Sequence, residues 1–171
     1  MKIPETIQGN RIYLRSYDKN DVSFVSSMWF DEENGKYLSD PTPEFIDDAF
    51  QKAFDNIQDV DDGFYFIISL NSGEKIGSIS TFPDENGEEF DIGYCIHKDY
   101  WKNGFGSEAV GVLLQWIKER GAKTVTAEVA AENTASRRLL EKLGFIVRKE
   151  TEFKKYHMDI TYKSYIYYKN I

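Results

Sequence analysis

Apolar positions in the first half of this chain recur at helical spacing in some segments and at strand spacing in others. Residues 11–17 alternate in character and predict a first strand, whereas apolar residues three and four apart predict helices over residues 22–29 and 43–57. Runs rich in β-branched and aromatic residues follow. They predict three antiparallel strands, with a hairpin between the first two, at residues 64–70, 75–82 and 89–97.

Helical and strand patterns alternate in the second half. They predict, in chain order, a helix over residues 104–120, a strand over 124–129, a helix over 134–143, and strands over 145–149 and about 157–168. The fold class we expect is α/β (α+β), with a mixed, mostly antiparallel sheet of six or seven strands flanked by about four helices. Because no linker or repeat interrupts this pattern, we expect residues 1–171 to form a single domain.

A glycine-bearing loop joins the strand over residues 89–97 to the helix that follows it. Gly104 and Gly106 remove side chains at positions where a ligand's oxygens would approach the backbone. The unpaired N–H groups in the first turn of the helix point to the same place. The loop therefore indicates an anion site, with a phosphate or pyrophosphate as the expected ligand.

Two other interpretations of this loop stay open at this point. Gly104, Gly106 and Ala109, with Glu128 on the next strand, superficially match the dinucleotide-binding fingerprint of a nicotinamide-dependent enzyme. Residues 98–103 intervene between strand and glycine, however, and too little chain remains for a doubly wound sheet. The other interpretation is a glycine loop that only turns a corner.

Charge and composition narrow the classes of partner. The 171 residues carry 21 Lys and Arg against 29 Asp and Glu, a formal charge of -8, which gives nucleic-acid binding no support and favours a cationic substrate. The single cysteine, Cys95, excludes an internal disulfide, and two histidines are too few for a metal cluster. No stretch approaches the ~20 apolar residues that span a bilayer, so we expect a cytoplasmic protein without metal or membrane partner.

Three motifs in order resemble the GCN5-related N-acetyltransferases, and within them most closely the RimJ/RimL branch. They read D-I-G-Y at residues 91–94, Y-W-K-N-G-F-G-S-E-A at 100–109 and E-N-T-A-S-R-R-L-L-E-K-L-G-F at 132–145. Nearly the whole chain has counterparts in that fold. The resemblance implies an enzyme that moves an acetyl group from acetyl-CoA to a primary amine, with a C-terminal βαβ unit holding the acetyl-CoA.

The resemblance also implies which residues hold acetyl-CoA. The pyrophosphate would lie on backbone N–H groups at the start of the helix, and the pantetheine arm would pair like an added strand with the backbone around Cys95 and Ile96. Asn133 would hydrogen-bond the pantetheine, although it is also a good helix N-cap. The implied pyrophosphate residues are Lys102, Asn103, Gly104, Phe105, Gly106 and Ser107. Trp101 departs from the family's usual Gln or Arg at its position.

Acetyl transfer to an amine requires removal of a proton from the amine, and two carboxylates are candidates for that role. By the resemblance, Asp91 matches an acidic residue of RimL-like enzymes and Glu128 matches the base of RimI-like relatives. Either could instead be an ordinary surface carboxylate. The tyrosine that many relatives use to protonate the leaving thiolate is replaced by Leu140, so that role passes to Ser136, which is otherwise only the third residue of its helix.

The acceptor is expected to be a cationic small-molecule or peptide amine, such as a protein N-terminus, a polyamine or an aminosugar. Aromatic residues of the early helices and last strands, with acidic surroundings, would suit such a guest. They are Trp29, Phe30, Phe45, Tyr156, Tyr162, Tyr165 and Tyr167. A non-catalytic acyl-CoA-binding or sensing module on the same fold is the alternative function, because the usual tyrosine is missing. An edge strand near the C-terminus could also pair with a second copy to give a homodimer.

Overall fold

The computed structural model describes residues 1–3 and 5–171, and its elements follow the predicted order. The helices are α1 (Val22–Trp29), α2 (Asp48–Asp55), α3 (Phe105–Lys118) and α4 (Thr134–Lys142). The strands are β1 (Ile7–Gln8), β2 (Ile12–Ser16), β3 (Phe64–Leu70), β4 (Lys75–Pro83), β5 (Glu89–Ile96), β6 (Thr124–Ala130), β7 (Ile146–Lys154) and β8 (Thr161–Asn170).

The eight strands form one sheet in the order β1-β2-β3-β4-β5-β6-β8-β7. Every neighbouring pair is antiparallel except β5 and β6, which are parallel. The predicted mixed, mostly antiparallel class with about four helices is confirmed. The predicted count of six or seven strands falls short because the two-residue β1 is too short to leave a pattern.

Two element boundaries differ from the prediction. The predicted helix over residues 43–57 divides into a 3-10 turn at Pro43–Phe45 and α2, because Ile46 is extended and the Asp47 carboxylate accepts the N–H of Phe50 as an N-cap. Strand β7 continues to Lys154, beyond the predicted end at residue 149, whereas β8 starts at Thr161 and ends at Asn170, later than the predicted 157–168.

Helices cover both faces of the sheet. On one face, α3 and α4 pack their apolar residues, including Val110, Leu113 and Leu140, against a core shared with β2 to β6 and β8. On the other face, α1 and α2 contribute Val25 and Phe54 to a smaller core. Because burial of apolar surface is the main stabilising contribution, these two cores fix the sheet between its helical layers.

The parallel strands β5 and β6 separate partway along their length. They pair only through Glu89–Asp91 opposite Thr124–Thr126, yet β5 continues to Ile96 and β6 to Ala130. Beyond Asp91 the edge of β5 that faces β6 therefore has no neighbouring strand. The resulting gap opens between the two helical faces of the sheet.

Candidate functional site

A cleft of about 640 Å³ follows this gap. Its walls are β5, the first turns of α3 and α4, and the segment of residues 33–38 between α1 and α2. Nine of the residues that the sequence singles out line it: Cys95, Ile96, Lys102, Gly104, Phe105, Gly106, Ser107, Asn133 and Ser136. Asn103, Asp91 and Glu128 lie outside it.

The glycine loop presents its backbone N–H groups to the cleft. Gly104 has a φ of 78° and forms the N-cap of α3, a left-handed conformation that favours glycine. Among the described residues, Glu108 is the first residue of α3 whose N–H has a backbone acceptor. It donates to the Gly104 carbonyl at 3.1 Å. Residues 102–107 therefore offer N–H groups with no acceptor in the described part of the protein, at the positive end of a helix.

Gly106 brings α3 and α4 close together beside these N–H groups. A Cβ atom at this position would lie 2.9 Å from Leu139 Cδ1, closer than van der Waals contact allows. The absence of a side chain keeps the wall of the cleft narrow and leaves the backbone accessible. A large anion that needs several N–H donors fits this surface.

Asn103 supports the loop rather than lining the cleft. Its side-chain amide donates to the carbonyls of Tyr100 at 3.2 Å and Trp101 at 3.0 Å. Its own carbonyl accepts from Arg11 Nη1 at 3.0 Å. The structure therefore places its side chain in the turn that precedes α3.

The register of β5 determines which of its backbone groups face the gap. The His97 N–H donates to the Ile76 carbonyl, and Cys95 lies opposite Ser78. Hydrogen-bonded pairs alternate in an antiparallel ladder, so the backbone groups of Cys95 point to β4, whereas those of Tyr94 and Ile96 point into the gap. Burial raises the pKa of the Cys95 thiol to about 12, so it stays protonated.

Trp101, the residue that departs from the family pattern, has a defined contact. Its indole Nε1 donates to the Ile96 carbonyl at 2.7 Å, and Asn34 Nδ2 donates to the same carbonyl at 3.1 Å. The loop and the segment between α1 and α2 are thereby tied to the end of β5. The N–H of Ile96 and both backbone groups of Tyr94 remain directed into the gap.

Asn133 and Ser136 meet at the start of α4. Asn133 Oδ1 accepts the Ser136 N–H at 3.2 Å, so Asn133 is the N-cap of this helix. The Ser136 hydroxyl lies 2.6 Å from the hydroxyl of Tyr94. Burial raises the pKa of Tyr94 to about 12, which keeps its phenol protonated at neutral pH.

Several residues that line the cleft are absent from the sequence prediction. Tyr94 belongs to the D-I-G-Y motif, but nothing in the sequence indicates its partner 42 positions away. Arg138 and Lys142 also line the cleft, and their charges, with that of Lys102, make this side of it basic. The spacing of 138 and 142 on one helical face was the signal that could have found them.

The two candidate bases lie together on the opposite face of the sheet. Asp91 is opposite Phe82 on β4 and Thr126 on β6, and residues in register share a face. Thr126 Oγ1 donates to Asp91 Oδ1 at 2.8 Å. Ser164 Oγ donates to Glu128 at 2.5 Å. Both carboxylates therefore border the gap from the face that carries α1 and α2.

The surroundings of Asp91 change its acidity. Crowding by surrounding protein atoms, opposed by the hydrogen bond from Thr126, raises the pKa of its carboxyl, and the charges of Glu128 and Glu89 raise it further. A carboxylate with a raised pKa is a stronger base near neutral pH. Asp91 also stands at the last paired position before β5 and β6 separate.

A buried lysine from the β7–β8 turn holds the segment of residues 33–38. Lys155 is 4% exposed, and its Nζ donates to the carbonyls of Gly35 at 3.0 Å and Leu38 at 2.7 Å. A second cavity of about 300 Å³ lies beside it, lined by Trp29 and Tyr162. These two were among the expected acceptor aromatics, whereas Phe30 and Tyr167, also expected there, are buried in the cores.

Other site types find no support within residues 1–3 and 5–171. No group of three His, Cys, Asp or Glu side chains there is placed to hold a metal ion. No helix in the same part of the chain has the length and apolar character to cross a membrane.

Comparison with known proteins gives consistent results. Residues 11–146 match the family model of the acetyltransferase (GNAT) domain. An uncharacterized N-acetyltransferase of Bacillus licheniformis, p20, is 32% identical over 151 residues, covering 82% of this chain and 82% of the relative.

Two solved structures share the fold. The spermidine N-acetyltransferase of Vibrio cholerae, in complex with CoA and spermine, has a TM-score of 0.79 at 15% identity, covering 94% of this chain and 95% of that chain. The Salmonella typhimurium acetyl transferase that modifies the N-terminal serine of ribosomal protein L7/L12 has a TM-score of 0.79 at 17% identity, covering 98% and 99%.

Proposed function

This chain belongs to the GNAT acetyltransferase family, and we propose that it transfers an acetyl group from acetyl-CoA to a primary amine in a ternary complex. The observation that carries this proposal is the cleft along the open edge of β5. N–H groups of residues 102–107 that have no acceptor among the described residues lie on one side of it, and two carboxylates lie across the gap. Motif 100–109 and Ser136 support the RimJ/RimL branch within the family.

The cleft suits acetyl-CoA along its whole length. The pyrophosphate accepts hydrogen bonds from N–H groups at the start of α3, and Lys102, Arg138 and Lys142 attract its charges. The amides of the pantetheine arm pair with the backbone of Tyr94 and Ile96, the two residues of this part of β5 whose polar groups face the gap.

An N–H group of β5 also assists the chemical step. As the amine attacks, negative charge develops on the thioester oxygen, and a fixed N–H donor stabilises that charge. The amine nitrogen forms the new C–N bond. The C–S bond breaks, and the electron pair of the C–S bond goes to the sulfur.

The amine reaches the thioester from the face that carries α1 and α2. Asp91 and Glu128 make that approach acidic, which attracts a protonated amine. Asp91 then takes the proton, directly or through a water molecule, because its raised pKa makes it a stronger base than an ordinary aspartate. Glu128 is the second choice, since it lies farther along the open part of β6.

A cationic primary amine is the proposed class of acceptor: a protein N-terminus, a polyamine or an aminosugar. The acidic approach supports a cation. The second cavity is lined by the aromatic rings of Trp29 and Tyr162 and by three carboxylates and two lysines: Asp31, Glu32, Glu44, Lys36 and Lys155. The two neighbours of known acceptor include one polyamine and one protein N-terminus, so both chemistries belong in the test.

A non-catalytic acyl-CoA-binding module remains the second candidate function, and one observation favours it. Leu140, at the position of the usual tyrosine, is buried and has no proton to donate. Such a module would bind acetyl-CoA in the same cleft and release no thiol.

Thiol release from acetyl-CoA by the purified protein tests the proposal. The amines to compare are peptides with N-terminal Ala or Ser, spermidine, an aminoglycoside and single amino acids. Release with one class, at least tenfold above the amine-free rate, supports acetyl transfer. Binding of acetyl-CoA without release for any class would instead favour the binding module.

A further inference from the structure

We propose that Tyr94 is the positioning residue for Ser136: its phenol hydrogen-bonds the serine hydroxyl and orients it toward the departing CoA sulfur, the role that the resemblance implies for Ser136. The inference rests on the proposed function, because it places the thioester beside Ser136. The pair supplies the donor that Leu140 cannot provide: Ser136 is on the same helix, α4, and Tyr94 supports it from strand β5.

The geometry joins two elements that are distant in sequence. Tyr94 is on β5 and Ser136 is on α4, and both line the cleft. Their hydroxyl oxygens lie 2.6 Å apart, within the range of a short O–H···O hydrogen bond. The Ser136 main chain is fixed independently, since its N–H donates to Asn133 Oδ1.

Counting protons shows what the pair offers a ligand. Each hydroxyl carries one hydrogen, and one of the two is used within the pair. A phenol is a stronger acid than an alcohol, so Tyr94 donates and Ser136 accepts. Among residues 1–3 and 5–171, the phenol has one other and weaker acceptor, the Ser136 carbonyl at 3.5 Å. The hydrogen of Ser136 is therefore free to point into the cleft.

This hydrogen stabilises the leaving group without a net proton transfer. When the C–S bond breaks, its electron pair remains on the sulfur, and the Ser136 O–H donates a hydrogen bond to the developing thiolate. The hydrogen bond from Tyr94 strengthens that donation, because a hydroxyl that accepts a bond becomes a better donor. The thiolate takes its proton from water after release.

The test measures recognition of the sulfur itself and does not depend on an acceptor amine. Dissociation constants are measured by calorimetry at pH 9.5 for CoA and for desulfo-CoA, which lacks the thiol. At that pH an ordinary thiol, with a pKa of about 8.5, is mostly ionised. The proteins are the wild type, Tyr94→Phe, Ser136→Ala and the double variant.

Tyr17→Phe is the matched control. The Tyr17 hydroxyl is buried and makes no hydrogen bond to the described residues, and it packs in the smaller core away from the cleft. The control removes the same atoms from a phenol without touching the pair.

We expect the wild type and Tyr17→Phe to bind CoA about tenfold more tightly than desulfo-CoA, the effect of a hydrogen bond to a charged group. Each single variant should lose most of this preference, and the double variant little more, because the two hydroxyls act as a unit. Binding of desulfo-CoA should not change in any of them.

Equal affinities for both ligands in the wild type, or a preference that survives in Tyr94→Phe and Ser136→Ala, would overturn the proposal. If the wild type binds neither ligand, the proposed function is wrong, and the inference about Tyr94 and Ser136 is wrong with it. If Tyr94→Phe fails to fold, Ser136→Thr, which keeps the hydroxyl, and Ser136→Ala decide the question: only Ser136→Ala should lose the preference.

Discussion

The two sides of the gap are built in different ways. On the side of α3 and α4, the groups proposed to bind acetyl-CoA come mostly from the backbone of one short stretch, residues 94–107. On the side of α1 and α2, Asp91 and Glu128 are side chains of two strands, and Lys155 from a distant turn holds the segment of residues 33–38. A site made of consecutive backbone groups tolerates varied side chains, whereas the acceptor side depends on each side chain.

The largest effect should come from the acceptor side, at Asp91. Asp91→Asn removes the proposed base and should lower kcat by about 10²–10⁴-fold, the usual contribution of general base catalysis, with acetyl-CoA affinity unchanged. Because the pKa of Asp91 is raised, wild-type kcat/KM should fall with decreasing pH at a pKa above that of an ordinary aspartate. Steady-state kinetics across pH measure both.

Stability distinguishes this role from a structural one. A carboxyl whose pKa is raised by folding costs stability above that pKa, when it is ionised, and costs none when the pH falls below its unfolded-state value. Asp91→Asn should therefore be as stable as the wild type, or more so, at pH 7 in thermal unfolding. Glu128→Gln is the matched control, and a larger kcat loss there would transfer the base role to Glu128.

On the cofactor side, the backbone conformation of Gly104 should control acetyl-CoA binding. Gly104→Ala places a Cβ in a left-handed conformation, which costs about 1–2 kcal/mol of stability. It should also weaken acetyl-CoA binding about tenfold, the equivalent of about one hydrogen bond to a charged group, because the N–H groups around it shift.

Gly121→Ala is the control for Gly104→Ala. Gly121 has a φ of 88°, with open space around it, and does not line the cleft. Gly121→Ala should lower the free energy of unfolding by a similar amount and leave the affinity for acetyl-CoA unchanged. Equal losses of affinity in the two variants would show that the Gly104 conformation has no special part in binding.

A smaller effect on activity should follow removal of Lys155, the lysine that holds the segment of residues 33–38. Lys155→Met leaves the carbonyls of Gly35 and Leu38 without their donor and should lower the free energy of unfolding by about 1–3 kcal/mol. The KM for the amine should rise more than the dissociation constant of acetyl-CoA. Lys154→Met, at an exposed neighbour, should change neither; a matching change there would argue against a specific role for Lys155.

The smallest effect should come from the charges at the cleft. Lys142 is exposed, so Lys142→Ala should weaken acetyl-CoA binding only about two- to threefold, and the difference should shrink at high salt. Lys118→Ala, at the far end of α3 and outside the cleft, is the control. A salt-independent loss at Lys142 would mean that its contribution is not electrostatic.

The difference between the two sides also explains what the sequence could predict. The turn of Gly104 and Gly106 into α3 is local, so its residues could be identified from consecutive letters, and Asn133 and Ser136 likewise. The pairing of Tyr94 with Ser136 depends on how β5 lies against α4. The role of Lys155 depends on a turn whose partners lie about 120 residues earlier. Such contacts are set by tertiary register, which no local pattern encodes.

The same reasoning applies to the elements of the fold. The alternating and helical periods located α1, α3, α4 and the long strands, because each buries one continuous face. They missed β1, which has two residues, and the start of α2, where the Asp47 cap outweighs an apolar pattern that continues upstream. The sequence pattern did not show that the backbone groups of Cys95 face β4 and those of Tyr94 face the gap. That assignment requires the pairing register of β5 with β4.

A crystal structure of the protein with CoA and a reactive amine would test the central claim, that acetyl-CoA and amine meet from opposite faces of the sheet. The account predicts phosphate oxygens within about 3.2 Å of N–H groups of residues 102–107. It also predicts the sulfur beside Ser136 and the amine on the side of Asp91. A pyrophosphate bound elsewhere, or an amine entering from the α3 and α4 face, would contradict it.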